Sequence, residues 1–222
     1  MRVGVVVVGA GGHAKVVVAT LQALGVGVRV ALDDDESLWG GSLLGVPVAG
    51  PISTLADLDG HRVVLALGDN RTRQRLAARL ESAHPGLRWA IAVHPSAVVH
   101  PSAQIGPGGV VFAGAVVQPD ALIGAHAIVN TGATVDHDCR LGDFVHLAPG
   151  SHLAGGVVLD GGAFVGMGAV VLPHRRVGAW ATVGAGGVVV EDVADGVTVA
   201  GVPARALARP GQGAEVGPEG AA

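Results

Sequence analysis

The sequence predicts a small α/β domain followed by a parallel β-helix, and three observations carry that prediction. From Val93 onward an aliphatic residue returns at every sixth position as far as Val189. Residues 1–92 instead alternate continuous apolar runs with amphipathic stretches. The first of those runs ends in a glycine loop, Gly9-Ala10-Gly11-Gly12. A count of six fits neither the helical period of 3.6 nor the strand period of 2.0. It fits short strands joined by tight turns, three to a coil, with one large and one small side chain of each hexad pointing inward.

Val3–Val8 is apolar throughout, as a strand buried on both faces would be. Ala14–Leu24 carries apolar residues at helical spacing and stops at Gly25. Val28–Leu32 forms a second strand that ends at Asp33-Asp34-Asp35, and a loop follows. His61–Leu67 is a third strand ending at Gly68-Asp69-Asn70, Arg71–Ala83 a helix, and Leu87–Val93 a last strand leading into the repeat. Strands alternating with helices argue a parallel sheet. In the repeat the frame runs unbroken from Val93 to Ala194, with leading residues such as Val111, Leu147 and Val183. The fifth place is small or β-branched, as at Ala115, Ala133 and Cys139, with Arg175 the one misfit. The expected domains are therefore 1–92 and 93–207. Residues 208–222, rich in Gly, Pro, Ala and Glu without period, read as a disordered tail.

The composition follows from this architecture. Glycine (37 residues) falls at the turns of the frame, and only 3% of the chain is aromatic. Mean hydropathy is high at +0.53, yet no apolar run approaches the ~18 residues that a spanning helix needs. The single cysteine cannot form an internal disulfide. The apolar run near the start is short, glycine-broken and without a cleavage site, so a cytoplasmic protein is expected. A net charge of −4 with one lysine offers no basic patch for nucleic acid.

Gly9-Ala10-Gly11-Gly12-His13-Ala14 fits G-x-G-x-x-A between a strand and a helix, with Asp33 or Asp34 following at the next strand end. Glycines let the backbone approach a pyrophosphate, and the helix start offers it free N–H groups. Alone, this Rossmann-like pattern suggests NAD. The domain, however, holds one mononucleotide-binding half, so a nucleoside diphosphate attached to another group fits better. A glycine turn that merely packs strand on helix is the plain alternative. His13 favours a phosphate or sugar ligand, because the dinucleotide fingerprint does not ask for it.

In the repeat, Asp136-His137-Asp138 sets an imidazole beside carboxylates. Such a ring suits proton removal near neutral pH, and a carboxylate can fix its tautomer. Gly155 falls one coil later and leaves a slot beside the imidazole for an extended ligand. Asn130 lies around the preceding corner with an amide free to hydrogen-bond. His137, His146 and His152 also raise a metal reading. Nine residues are half a coil, however, so His137 and His146 leave opposite sides of one subunit and share a site only across a subunit boundary. A solvated surface histidine is the plain alternative for His137. His94, His100, His126 and His174 read as turn and surface residues, and Cys139 as a small core residue.

These motifs continue through His94-Pro-Ser-Ala, Asn130-Thr-Gly-Ala-Thr-Val-Asp-His137, Ala154-Gly155 and Gly201-Val-Pro-Ala-Arg205. Together and in order they resemble the hexapeptide-repeat sugar acetyltransferases. The sialic acid O-acetyltransferases and the nucleotide-sugar 4-amino N-acetyltransferases of bacillosamine and perosamine type are the most similar. The resemblance implies a left-handed β-helix, against the general preference for right-handed crossovers. It implies a homotrimer with acetyl-CoA between neighbouring β-helices. Metal-binding β-helix proteins use a different histidine spacing, so no metal is expected. The resemblance implies His137 as general base, assisted by Asp138 where many relatives carry Glu, with Asn130 positioning substrate. His146 would face the acetyl thioester, the Gly155 and Ala185 backbone would line the cofactor channel, and Arg205 would contact the adenosine end of CoA. The nucleotide sugar would meet Gly11, Gly12, His13, Asp33, Asp34, Gly68 and Asn70. An O-acetyltransferase is the nearest rival, and a non-catalytic nucleotide-sugar-binding trimer is the rival of another class.

Overall fold

The computed structural model describes residues 4–58 and 60–207, and the tail expected over 208–222 lies outside them. Strand β1 (Val5–Val8) is buried at every position because helices α1 (Gly12–Ala23) and α2 (Asn70–Ala83) cover opposite faces of its sheet. Val5 and Val7 pack with Ala14, Val17 and Leu21 of α1, whereas Val6 and Val8 pack with Leu76, Ala77 and Leu80 of α2. Successive strand residues face opposite ways, so a strand with two covered faces has no use for polar positions. Parallel neighbours flank β1, with β2 (Val28–Leu32) on one side and a strand at Arg62–Leu65 on the other. The strand order reverses between them, which is where doubly wound sheets open a ligand crevice.

The segment expected as a plain loop holds a hairpin, β3 (Ser42–Leu43) and β4 (Val46–Gly50), and β4 also joins β2 in parallel. Leu44 and Gly45 both have positive φ (49° and 83°) at the turn. A primed turn with leucine at its first centre lacks the Asn-Gly or Asp-Gly signature that reveals such turns in a sequence. We number the Arg62–Leu65 strand β5; β6 (Arg88–Trp89) extends the sheet beside it.

From β7 (Ala92–Val93) onward, two-residue strands stack in three parallel sheets, the fold of a left-handed β-helix. Val111 pairs with Val93 on one coil and Val129 on the next, which is a spacing of eighteen. The leading aliphatics and the small fifth-place residues form one continuous core. Every sixth residue from Gly108 to Gly186 has positive φ. A side chain costs roughly 1–2 kcal/mol in that left-handed conformation, which is why glycine recurs there. His126, His174 and Trp180 take the position nonetheless, with rings laid over Gly108, Gly156 and Gly162 of the preceding coil.

The count of six does not run intact to Ala194. Val177 pairs with Val193 and Thr182 with Thr198, a spacing of sixteen, so the last coil is shortened. An unbroken frame would turn Asp195 into the apolar core. Shortening puts Val193 there and leaves Asp195 outside, hydrogen-bonded to Arg176 at 3.0 Å. The two domains share a core, since Ala92, Val110, Phe112 and Ile128 of the β-helix pack with Ala14, Val17 and Val18 of the sheet domain.

Candidate active site

His137 sits in the turn after the strand Thr134–Val135, and Asp138 takes the left-handed position beside it with φ 60°. His137 Nδ1 lies 2.8 Å from Asp138 Oδ2, and the His137 backbone N–H donates to Asp136 Oδ1 at 2.7 Å. The bond to Asp138, then the charge of Asp136, raise the imidazole pKa above its usual value. In the neutral ring this bond assigns the proton to Nδ1 and leaves Nε2 free to accept one. The ring is laid over Gly155, where an added Cβ would stand 2.6 Å from Cε1 and Nε2. The space left by Gly155 is thus filled by the imidazole itself, which corrects the expected ligand slot. Cys139, two residues after His137, is buried, its thiol is pushed up to about 11 by desolvation, and it donates to the Ala154 carbonyl.

A second cluster lies at the seam between the domains. His146 Nδ1 is 3.0 Å from the Gly68 carbonyl oxygen, and its Nε2 is 3.1 Å from Asn130 Nδ2. A carbonyl oxygen only accepts, so Nδ1 donates and Nε2 accepts from the amide. Asn130 Oδ1 in turn accepts the Thr131 N–H at 2.8 Å. Burial holds the His146 pKa down at about 4, so the ring is neutral at physiological pH. His13 reaches into the same seam, edge-on to Phe112 and 6.1 Å from the His146 ring. Burial and then the charge of Arg73 lower its pKa to about 4, and its Nε2 is enclosed without a hydrogen-bond partner among the described residues.

The structure therefore separates His137 from Asn130 and His146 within one chain. Asn130 occupies the corner that leads into the sheet of Thr134–Val135, and His137 the corner that leaves it. Gly155 and Ala185 divide the same way, Gly155 beneath His137 and Ala185 at a corner on the Asn130 side. Arg205 lies on the exposed return strand Arg205–Ala206, 4.0 Å from Glu191.

The glycine loop lies beside the end of β5, where a Cβ on Gly9 would meet the Ala66 carbonyl at 3.0 Å. Space beside Gly11 and Gly12 is open. Asp33 has both oxygens on backbone, Oδ2 on Ala10 N–H at 2.7 Å and Oδ1 on Asp35 N–H at 3.0 Å. Asp34 accepts from Ile52 N–H at 2.9 Å and pairs with Arg79 at 3.2 Å. Both line a cleft of about 300 Å³ with Gly9, Leu67, Thr72 and Arg75. Asn70, expected as a substrate contact, instead anchors the domains: Nδ2 donates to Gly162 O and Ala163 O, and Oδ1 accepts from Arg73. His126, expected at the surface, is 3% exposed between Trp89 and Phe144. Its turn position is as the frame requires, but the docked domain covers it.

The residue that sequence reasoning missed is Arg73. It reads as the polar face of a helix, yet it is 1% exposed and bonds the β-helix backbone at His126 O and Phe144 O, both at 2.8 Å. No local signal marks it, because only domain docking buries it. Among the described residues no group of three or more His, Cys, Asp or Glu is placed to hold a metal ion.

A glycine-loop α/β domain docked on a hexad β-helix, with a histidine–aspartate pair exposed on that helix, defines the class. Comparison with known proteins gives the family. Residues 4–80 match the PglD N-terminal domain. PerB from Caulobacter crescentus, solved with CoA and GDP-perosamine, is 46% identical over 94% of this chain and 99% of its own, with a TM-score of 0.87. The acetyltransferase domain of PglB from Neisseria gonorrhoeae, solved with acetyl-CoA, is 41% identical over 92% of this chain and 98% of its own, with a TM-score of 0.86. WeeI from Acinetobacter baumannii is 29% identical over 93% of this chain and all of its own, with a TM-score of 0.82. A search of curated proteins returned no match. The chain belongs to the nucleotide-sugar N-acetyltransferases of the hexapeptide-repeat family.

Proposed function

We propose that this acetyltransferase moves the acetyl group of acetyl-CoA to the 4-amino group of a sugar carried on a nucleoside diphosphate. The observation that carries the reading is the His137–Asp138 pair, an oriented and exposed base, on a chain whose own α/β domain offers an open glycine loop. The similarity to PerB, which binds CoA and GDP-perosamine, supports the donor and the acceptor class.

In this reading the nucleotide rests against Gly11, Gly12, Asp33 and Asp34, with His13 and Gly68 toward the sugar. Neutral His137 accepts a proton at Nε2 while the sugar nitrogen attacks the thioester carbonyl. Asp138 stabilises the imidazolium that forms. The tetrahedral oxyanion then collapses, the C–S bond breaks, and CoA leaves as the thiolate. Hydrogen-bond donors preorganised at the oxyanion supply much of the stabilisation, and proximity in the groove supplies the rest. No covalent enzyme intermediate forms, consistent with a Cys139 thiol that is buried and protonated.

His137 and Asn130 stand at opposite edges of one sheet, so a complete site forms where the His137 edge of one subunit meets the Asn130 edge of another. That arrangement favours the homotrimer, with acetyl-CoA running between subunits past Gly155, Ala185 and Arg205. His146 has both ring nitrogens engaged, and it serves the site by holding Asn130 rather than by meeting the thioester. Among the described residues no helix is long and apolar enough to cross a membrane, and a cytoplasmic setting suits a nucleotide-linked substrate.

The test incubates the protein with acetyl-CoA and 4-amino sugars on UDP, dTDP and GDP, following free CoA thiol beside His137→Ala. Thiol release with one nucleotide sugar, lost in the variant, is the expected result. Nucleotide-sugar binding without thiol release would transfer the chain to the non-catalytic reading.

A further inference from the structure

Among the described residues, every hydrogen bond of the buried Arg73 guanidinium goes to a neutral group. Nε donates to His126 O at 2.8 Å, Nη2 to Phe144 O at 2.8 Å and Asn70 Oδ1 at 3.0 Å, and Nη1 to Leu67 O at 3.0 Å and Gly68 O at 3.3 Å. A buried cation with no ion pair among the described residues, felt by Asp69 only through its charge, is a poor device for stability alone, because an apolar side chain of similar volume often serves as well. Its placement has a more specific consequence. The Gly68 carbonyl that receives Arg73 Nη1 also receives His146 Nδ1–H at 3.0 Å. His146 Nε2, left as an acceptor, takes one hydrogen of Asn130 Nδ2, while Asn130 Oδ1 is held by the Thr131 N–H. The second Nδ2 hydrogen of Asn130 is then the polar group offered outward. With the opposite tautomer of His146 the amide would turn over, setting its Nδ2 against the Thr131 N–H.

We propose that Arg73 is a positioning residue for acetyl transfer: by fixing the Gly68 carbonyl it selects the Nδ1–H tautomer of His146, which makes Asn130 a hydrogen-bond donor to the reacting groups. The chain of contacts runs from the nucleotide-binding domain to the corner of the β-helix, so docking of the two domains sets the chemistry of that corner. The charge of Arg73 works in the same direction, since after burial it contributes to keeping His13, His126 and His146 neutral. The role of Asn130 in the groove rests on the function proposed above; the tautomer does not.

The experiment is long-range 1H–15N NMR of histidine-labelled full-length protein near neutral pH, with His146 assigned by loss of its signals in His146→Gln. Wild type should show a protonated Nδ1 and an unprotonated Nε2 at His146. In Arg73→Met that single tautomer should be lost, with kcat down ~10-fold or more, as small misplacements of catalytic groups produce, and KM for acetyl-CoA changed less than ~2-fold. Arg73→Lys, which keeps the charge and part of the reach toward Leu67 and Gly68, should recover part of both readings, and it carries the test if Arg73→Met does not fold. An unchanged Nδ1–H tautomer in the variants would overturn the proposal whatever happens to kcat. If no substrate is turned over at all, the proposed function fails while the tautomer still decides this one.

Discussion

Asp138 stands at φ 60°, where nearby turns carry Gly132, Gly150 and Gly156. An aspartate there gives up roughly 1 kcal/mol of backbone preference relative to glycine, and in return its carboxylate reaches His137 Nδ1. Asp138→Gly should therefore melt at the same or a higher temperature than wild type while kcat/KM falls ~10²-fold; a thermal melt beside a thiol assay reads both. Asp138→Asn separates charge from shape. The pair raises the His137 pKa, and in its proposed role as general base the ring is lost to the reaction as pH falls through that raised value. Without the carboxylate the acid limb of the kcat/KM profile should move to lower pH, with the plateau reduced. A limb that stays in place would assign it to another group. Gly155→Ala should push the imidazole off its seat, since the new Cβ would stand 2.6 Å from the ring, and activity should drop with little change in melting. At this scale the sequence was uneven. His137 and Asp138 are legible because local chain order places them together. Arg73 is not, since the carbonyls that bury it come from residues 126 and 144.

The hexad is the best-read element, because one inward aliphatic every sixth residue has no competing explanation. It misleads only at its end, where Asp195 falls on an inward place and the chain shortens its coil to avoid burying the charge. The β3–β4 hairpin is hidden for a different reason: its turn uses Leu44 at positive φ, against the usual chemistry of such turns. The docked elements make stability depend on pH. His13, His126 and His146 have folded-state pKa values near 4 against an ordinary 6.5, burial being the main cause. The unfolded chain takes up their protons first, so the stability they contribute is full above pH ~6.5 and is lost as pH falls toward ~4. Melting temperatures measured across that window should fall steadily. His126→Phe, which keeps the stack with Phe144 and Trp89, should make the decline shallower. A melting temperature independent of pH between 7 and 4.5 would contradict the burial of these rings.

At the scale of the molecule, the two domains share an apolar cluster through Phe112, Val110 and Ile128, and the seam above it joins Gly68, His13, His146 and Asn130. The general architecture follows from the sequence because each domain announces its own period. The seam does not, because nothing in either pattern states which faces meet. The same limit applies one level up: the leading aliphatics build the core of one subunit and say nothing of the next. On the function proposed above, the position of His137 at one edge of a sheet and Asn130 at the other makes a subunit assembly part of the catalytic argument.

The most direct measurement mixes two variants each expected to be inactive alone, His137→Ala and an Asn130→Ala/His146→Ala double variant, by unfolding and refolding them together, and follows CoA release with the nucleotide sugar. Some interfaces of the mixed oligomer would join an intact His137 edge to an intact Asn130 edge, so activity should return to a fraction of wild type. A mixture that assembles, binds acetyl-CoA and stays silent would contradict a site shared between subunits.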